Sequence, residues 1–158
     1  MHPAKPLIAA AVGLCIAVAA PAPPTRVNDP VSFVTDVYRH YMAAQSNRTN
    51  YSPPEDIYTP RLHELMARED KIRASGDEGC LDFDFWINGQ DWTLKELQVT
   101  RGGAAADREE VIAKFVNIRT PEEIHFDFRL VSGRWLLDDV RSLRGQRWTL
   151  SELLKCTP

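Results

Sequence analysis

The 158-residue chain is 44% hydrophobic and 26% charged, a length and composition that fit one globular domain and exclude a disordered or membrane-embedded chain. A net charge of −3 without a run of Lys or Arg gives no electrostatic reason to seek nucleic acid or an anionic membrane surface.

Residues 1–22 read as an export signal. Lys5 supplies the positive start, Leu7–Ala20 is an uncharged stretch of 14 residues, and Ala17-Val18-Ala19 gives the small-x-small cleavage pattern. A membrane-spanning helix needs roughly 20 apolar residues. A cleaved leader is therefore expected rather than an anchor, and a mature chain with no transmembrane segment. Leu14 precedes Cys15 where a lipoprotein signal wants a small residue, which disfavours a lipid anchor at Cys15. Lys5 leaves with the leader, so the mature charge becomes −4. Residues 23–29, with Pro23 and Pro24, read as a solvated Pro-rich linker, and residues 30–158 as one domain.

Asp29 followed by Pro30 signals a helix start, because the carboxylate can accept from free amides and proline suits the first helical position. Val34, Val37, Tyr38 and Tyr41 fall at helical spacing, flanked by Phe33 and Met42, and the helix is expected to end near Gln45. A polar loop with Pro53-Pro54 follows. Thr59-Pro60 repeats the start signal, and Leu62, Leu65, Met66 and Ile72 predict a second amphipathic helix to about Ala74.

The period then changes to two. Leu81, Phe83, Phe85 and Ile87 alternate with Asp82, Asp84, Trp86 and Asn88, which predicts a half-buried strand closed by an Asn88-Gly89 turn. Further strands are expected over residues 95–101, 110–118, 122–131 and 134–141. In the third of these, Ile124, Phe126, Phe128 and Leu130 share one face. Thr149-Leu150-Ser151-Glu152 has the capping-box form and predicts a short last helix. The expected architecture is α+β, with helices packed on a curved sheet of about five strands, antiparallel because the links are too short for crossovers.

With Cys15 removed in the leader, Cys80 and Cys156 remain, and in an oxidising compartment they are expected to pair. The bond would close a loop of 76 residues, worth ~4 kcal/mol in the chain-entropy model. The alternative is two buried thiols.

The element order and the ending Gly133-Arg134-Trp135-Leu136-Leu137-Asp138-Asp139-Val140 resemble the cone-shaped fold of the nuclear-transport-factor-2-like superfamily. Leu81-Asp82-Phe83-Asp84, Asn88-Gly89-Gln90-Asp91-Trp92 and Leu136-Leu137-Asp138-Asp139-Val140 are similar to the bacterial domain-of-unknown-function family 3828, which contains exported proteins and envelope lipoproteins. The resemblance covers about residues 30–156. It implies the cone and a place in the envelope but brings no established activity, since the superfamily mixes enzymes with binding modules.

Asp84 and Asp127 are the candidate general bases, with His125 as partner acid, on the reasoning that a desolvated carboxylate in a cone pocket can move protons. Asp82, Trp86, Asp91, Trp92 and Arg129 are candidates for ligand contact, since aromatic residues at the rim of a cone suit a small apolar ligand or a peptide. The alternative reading makes the acids the polar faces of half-buried strands, paired with Arg129, Arg134 and Arg141, and the aromatics core. No histidine pair has metal-ligand spacing, Asp82-x-Asp84 lacks the rest of a calcium loop, and no nucleotide fingerprint is present, so no metal or cofactor is expected. The leading expectation is an exported non-catalytic domain that binds an envelope protein or a small ligand. The rival is a small acid–base enzyme.

Overall fold

Asp29 starts the first helix as its position dictates: Oδ1 accepts from the Ser32 N–H at 2.8 Å, and α1 runs Pro30–Asn47. Its stripe of Phe33, Val34, Val37, Tyr38 and Tyr41 is buried. The structure, a computed structural model, describes residues 26–156. The expected leader, Cys15, the first residues of the expected linker and the last two residues of the expected domain lie outside the described residues. The end of that linker is not solvated throughout, because Val27 is packed into the core at 3% exposure.

Helix α2, Pro60–Ala74, is capped by Thr59 Oγ1, which accepts from the Leu62 N–H at 3.4 Å. The residues leading into it are fastened to the sheet: the Leu137 N–H donates to Ile57 O at 2.7 Å and the Thr59 N–H to Leu137 O at 2.9 Å.

The sheet has five strands in the order β1-β2-β3-β4-β5, antiparallel throughout. They are β1 Leu94–Ala105, β2 Arg108–Asn117, β3 Thr120–Val131, β4 Arg134–Ser142 and β5 Trp148–Thr149, followed by α3 Leu150–Leu153. The fold is therefore α+β, as expected. Helix α1 packs across β1 and β2, and α2 and α3 pack against β4. Ile124, Phe126 and Phe128 of β3 are buried toward α1. Phe126 meets Tyr38 edge-on with centroids 6.3 Å apart, and Phe128 meets Phe33 at 6.4 Å. Leu130, expected on the same face, is 38% exposed near the tip of the β3–β4 hairpin.

The expected strand over residues 81–88 is corrected to a compact turn. Asp84 and Gly89 exchange backbone hydrogen bonds at 3.0 and 3.3 Å, and the Ile87 N–H also reaches Asp84 O at 3.3 Å. Asp84 Oδ1 accepts from the Trp86 N–H at 2.9 Å. A short acidic side chain that bonds the backbone two residues on competes with strand pairing, and Asn88 completes the reversal at φ 51°. Phe85, Trp86 and Ile87 are consequently buried in succession instead of alternately. The fifth strand is β5, which pairs with β4.

The expected capping box is corrected too. The Thr149 side chain makes no cap bond. Asp139 of β4 does that work, its Oδ1 accepting from the Ser151 N–H at 3.0 Å and its Oδ2 from the Ser151 hydroxyl at 2.5 Å.

Cys80 and Cys156 form a disulfide with Cα atoms 5.7 Å apart, which ties the segment after α2 to the end of α3. Glu69, at 3% exposure, holds the same segment. Its carboxylate accepts from the Cys80 N–H at 2.7 Å, the Leu81 N–H at 3.2 Å and Arg73 Nε at 2.7 Å. Among the described residues, no helix is long and apolar enough to cross a membrane.

Candidate functional site

The candidate residues separate onto two sides of the sheet. Alternation in β3 sends Ile124, Phe126 and Phe128 to the core and His125, Asp127 and Arg129 to the opposite face. Asp84 lies on the core side, bonded to α1.

On the core side, the Tyr41 hydroxyl donates to Asp84 Oδ2 at 2.5 Å, and Oδ1 is held by the Trp86 amide. Burial pushes the Asp84 carboxyl above the usual carboxylate range, against the opposing pull of these two bonds. Burial also drives the Tyr41 hydroxyl far up, and the neighbouring Asp84 charge adds to it. Asp84 borders a cleft of about 240 Å³ whose lining includes Tyr58, Met66, Phe83, Phe85 and Arg73.

The other ligand candidates do not converge on that cleft equally. Trp86 is 2% exposed and stacks on Phe126 at 4.7 Å, so it serves chiefly as core. Trp92 donates its indole N–H to Tyr41 O at 3.2 Å and packs edge-on against the Tyr41 ring. Asp82 and Asp91 are exposed. Their backbone carbonyls brace the turn, Asp82 O accepting from Gln90 at 2.9 Å and Asp91 O from Asn117 at 3.2 Å.

On the opposite face a continuous chain of polar contacts runs across three strands. His125 Nδ1 lies 2.9 Å from Glu110 and Nε2 lies 3.0 Å from Glu123. An imidazole whose two nitrogens both face carboxylates donates to both only in its doubly protonated form. Arg141 grips Asp127 at 2.9 and 3.0 Å and reaches Glu110 at 2.7 Å. Burial would raise the Glu110 carboxyl, yet hydrogen bonds and charge from His125 and Arg141 hold it below the usual range. The His125 hydrogen bond, aided by Lys114, does the same for Glu123. Arg129 pairs with Asp138 at 3.2 Å. An open hollow of about 490 Å³ is bordered by Glu110, Asp127, Arg129 and Asp138.

Asp84 and His125 thus share neither a face nor a partner. Asp127 and His125 share a face, but Arg141 and Glu110 stand between them in the bonding chain. Among the described residues, no group of three or more His, Cys, Asp or Glu is placed to hold a metal ion. What the core-side arrangement offers is a cleft of mixed lining, with Tyr58, Met66, Phe83 and Phe85 beside the charged Glu55, Asp70, Arg73 and Asp84.

Glu69, Glu110, Glu123 and Tyr41 were not singled out as polar partners by sequence. The i,i+4 spacing of Glu69 and Arg73 is the one signal that could have flagged the first of them. The others depend on strand register and on the turn at residues 84–89. No family model, curated protein or solved structure matches the chain.

Proposed function

We propose that the protein is an exported, non-catalytic binding domain of the bacterial cell envelope, taking a small ligand or a segment of a partner protein. The observation that carries this reading is the separation of Asp84 from His125, which lie on opposite sides of the sheet with different partners. A general base needs a free lone pair aimed at substrate and a partner acid within reach. The disulfide supports an oxidising compartment, and with it the export signal and a periplasmic or secreted location. Helices ahead of an antiparallel meander support the nuclear-transport-factor-2-like cone and kinship with family 3828. The cleft, at about 240 Å³ with both aromatic and charged side chains in its lining, suits a compact group better than a drug-sized molecule, for which roughly 300–1,000 Å³ is usual.

The test has two arms. Protein purified from its native compartment should start near Ala20 and yield no thiol to alkylation under denaturing, non-reducing conditions. An intact Met1 or two alkylated cysteines would remove the exported reading, and a lipid on Cys15 would replace the cleaved, unanchored mature chain with an anchored one. Asp84→Asn and His125→Ala should leave the cellular role intact.

The acid–base reading keeps one observation in its favour, the raised Asp84 carboxyl beside a cleft. A folded Asp84→Asn protein that had lost its role would establish that reading in place of the binding domain.

A further inference from the structure

Helix α2 has a second flank, turned away from the Asp84 cleft. A groove of about 610 Å³ lies there between the helix and the segment following α3, lined by Arg61, Leu65, Ala67, Arg68, Lys71 and Lys155, with Glu64 as its one acid. Four cations against one carboxylate is the reverse of the whole chain, whose net charge is −3. Arg61, Arg68 and Lys71 fall within about 80° of the helix circumference, since at 3.6 residues per turn seven residues on returns within about 20° and ten within about 80°.

Three of these cations are only lightly used. Arg61 is the exception, donating to Asp138 O at 2.5 Å with the Asp138 and Asp139 carboxylates at 3.5 Å. Arg68 gives one bond, to Cys156 O at 3.1 Å. Lys155 pairs with Glu152 in an exposed contact whose side chains are 56% and 68% accessible. Among the described residues Lys71 pairs with no carboxylate. Exposed pairs of this kind contribute little and exchange readily for an incoming anion. The far wall is fixed, because Cys156 is bound to Cys80 and Arg68 grips its carbonyl, so little chain would have to be ordered on binding.

We infer that this groove docks an acidic peptide segment of a partner protein, its carboxylates meeting Arg68, Lys71 and Lys155 and an apolar side chain covering Leu65 and Ala67. The shape decides among anions. From Arg61 to Lys71 the helix rises ~15 Å, the span of about four or five residues of extended chain. A single inorganic anion would satisfy one or two of these cations and leave the apolar floor bare. A lipid bilayer would meet Glu64 and Glu152 as well as the cations.

The test uses the full disulfide-bonded chain and a fluorescein-labelled Asp-Glu-Leu-Glu-Asp peptide, read by anisotropy. Saturable binding is expected, weakening steeply between roughly 20 and 200 mM salt as the surface charges are screened. The double change Arg68→Gln with Lys71→Gln should weaken it about tenfold, the loss of ~1.4 kcal/mol in affinity, while the melting temperature stays within a degree or so because both side chains are exposed. The inference is overturned if the double variant binds like the parent. It also fails if a Gln-Gln-Leu-Gln-Gln peptide binds equally well, or if millimolar inorganic phosphate displaces the acidic peptide as fully as its unlabelled copy. Anionic vesicles that capture a protein indifferent to the peptide would assign the groove to a membrane instead.

Discussion

The Tyr41 hydroxyl on α1 and the Asp84 carboxylate, 43 residues apart in sequence, meet at 2.5 Å. This contact fastens the turn at residues 84–89 to the first helix and places Phe85, Trp86 and Ile87 in the core. It should be visible in stability and in its pH dependence. Tyr41→Phe leaves the half-buried Asp84 carboxylate without this donor, a loss of about 1–3 kcal/mol. Because the folded Asp84 carboxyl lies above its unfolded value, this group stabilises the fold less as pH rises between the two values. Removing the hydroxyl pushes the folded value higher still. Urea unfolding should therefore show a larger loss near about pH 7 than near about pH 4, and an equal loss at both would contradict the pairing.

Glu69 should behave in the opposite sense. Its burial would raise the carboxyl, but the bonds from the Cys80 and Leu81 amides and from Arg73 bring it below the ordinary Glu value. A depressed carboxyl contributes stability above its unfolded value and loses it as pH falls through the folded one. Glu69→Gln should cost about 1.5–3 kcal/mol at neutral pH and flatten the acid limb of the stability curve. An unchanged acid limb in thermal melts would show that the carboxylate is not what holds residues 80 and 81.

The start of α3 offers a clean comparison between local and tertiary capping. Asp139→Ala removes both contacts to Ser151 and should cost about 1–2 kcal/mol. Thr149→Ala, at the position of the local capping motif, should stay within about 0.5 kcal/mol. Reversed magnitudes in denaturant titrations would return the cap to the local motif.

Burial along β3 can be tested by truncation. Phe126→Ala and Phe128→Ala should each cost about 3–5 kcal/mol, while Leu130→Ala, at a site 38% exposed, should cost under about 1 kcal/mol. A heavy loss at Leu130 would mean that the hairpin tip is covered.

Much of this architecture is legible residue by residue. Asp29-Pro30 and Thr59-Pro60 mark helix starts because their side chains meet amides only a turn away, and Phe126 and Phe128 declare the buried face of β3 by parity. The run at residues 81–88 misleads for a physical reason. Its alternation is that of a strand, but Asp84 can bond its own backbone two residues on, and hydrophobic period alone does not reveal that choice. The polar chain around His125 was only half legible. Asp127 and Arg129 follow from parity and Arg141 was expected to pair with the acids, whereas Glu110 reaches both His125 and Arg141 through cross-strand register, with Glu110 opposite Asp127 and Arg141 opposite His125. That register is set where the hairpins close, and residue order does not display it. The α2 groove escaped for a similar reason: Lys155 joins Arg68 and Lys71 only once Cys156 has been drawn to Cys80.

That covalent link also decides how the molecule would carry a load. All five strands lie between Cys80 and Cys156 in sequence, so they form part of one closed covalent ring. Tension applied between the first helix and any attachment beyond Cys156 passes through the sulfur–sulfur bond straight into the segment after α2. The helices then bear the pull, and the sheet is bypassed. Pulled from its two ends, the oxidised protein would extend by no more than the chain outside the ring. Reduction would place the whole sheet in the path of the force and release roughly 76 residues of additional contour, about 250 Å at ~3.3 Å per residue.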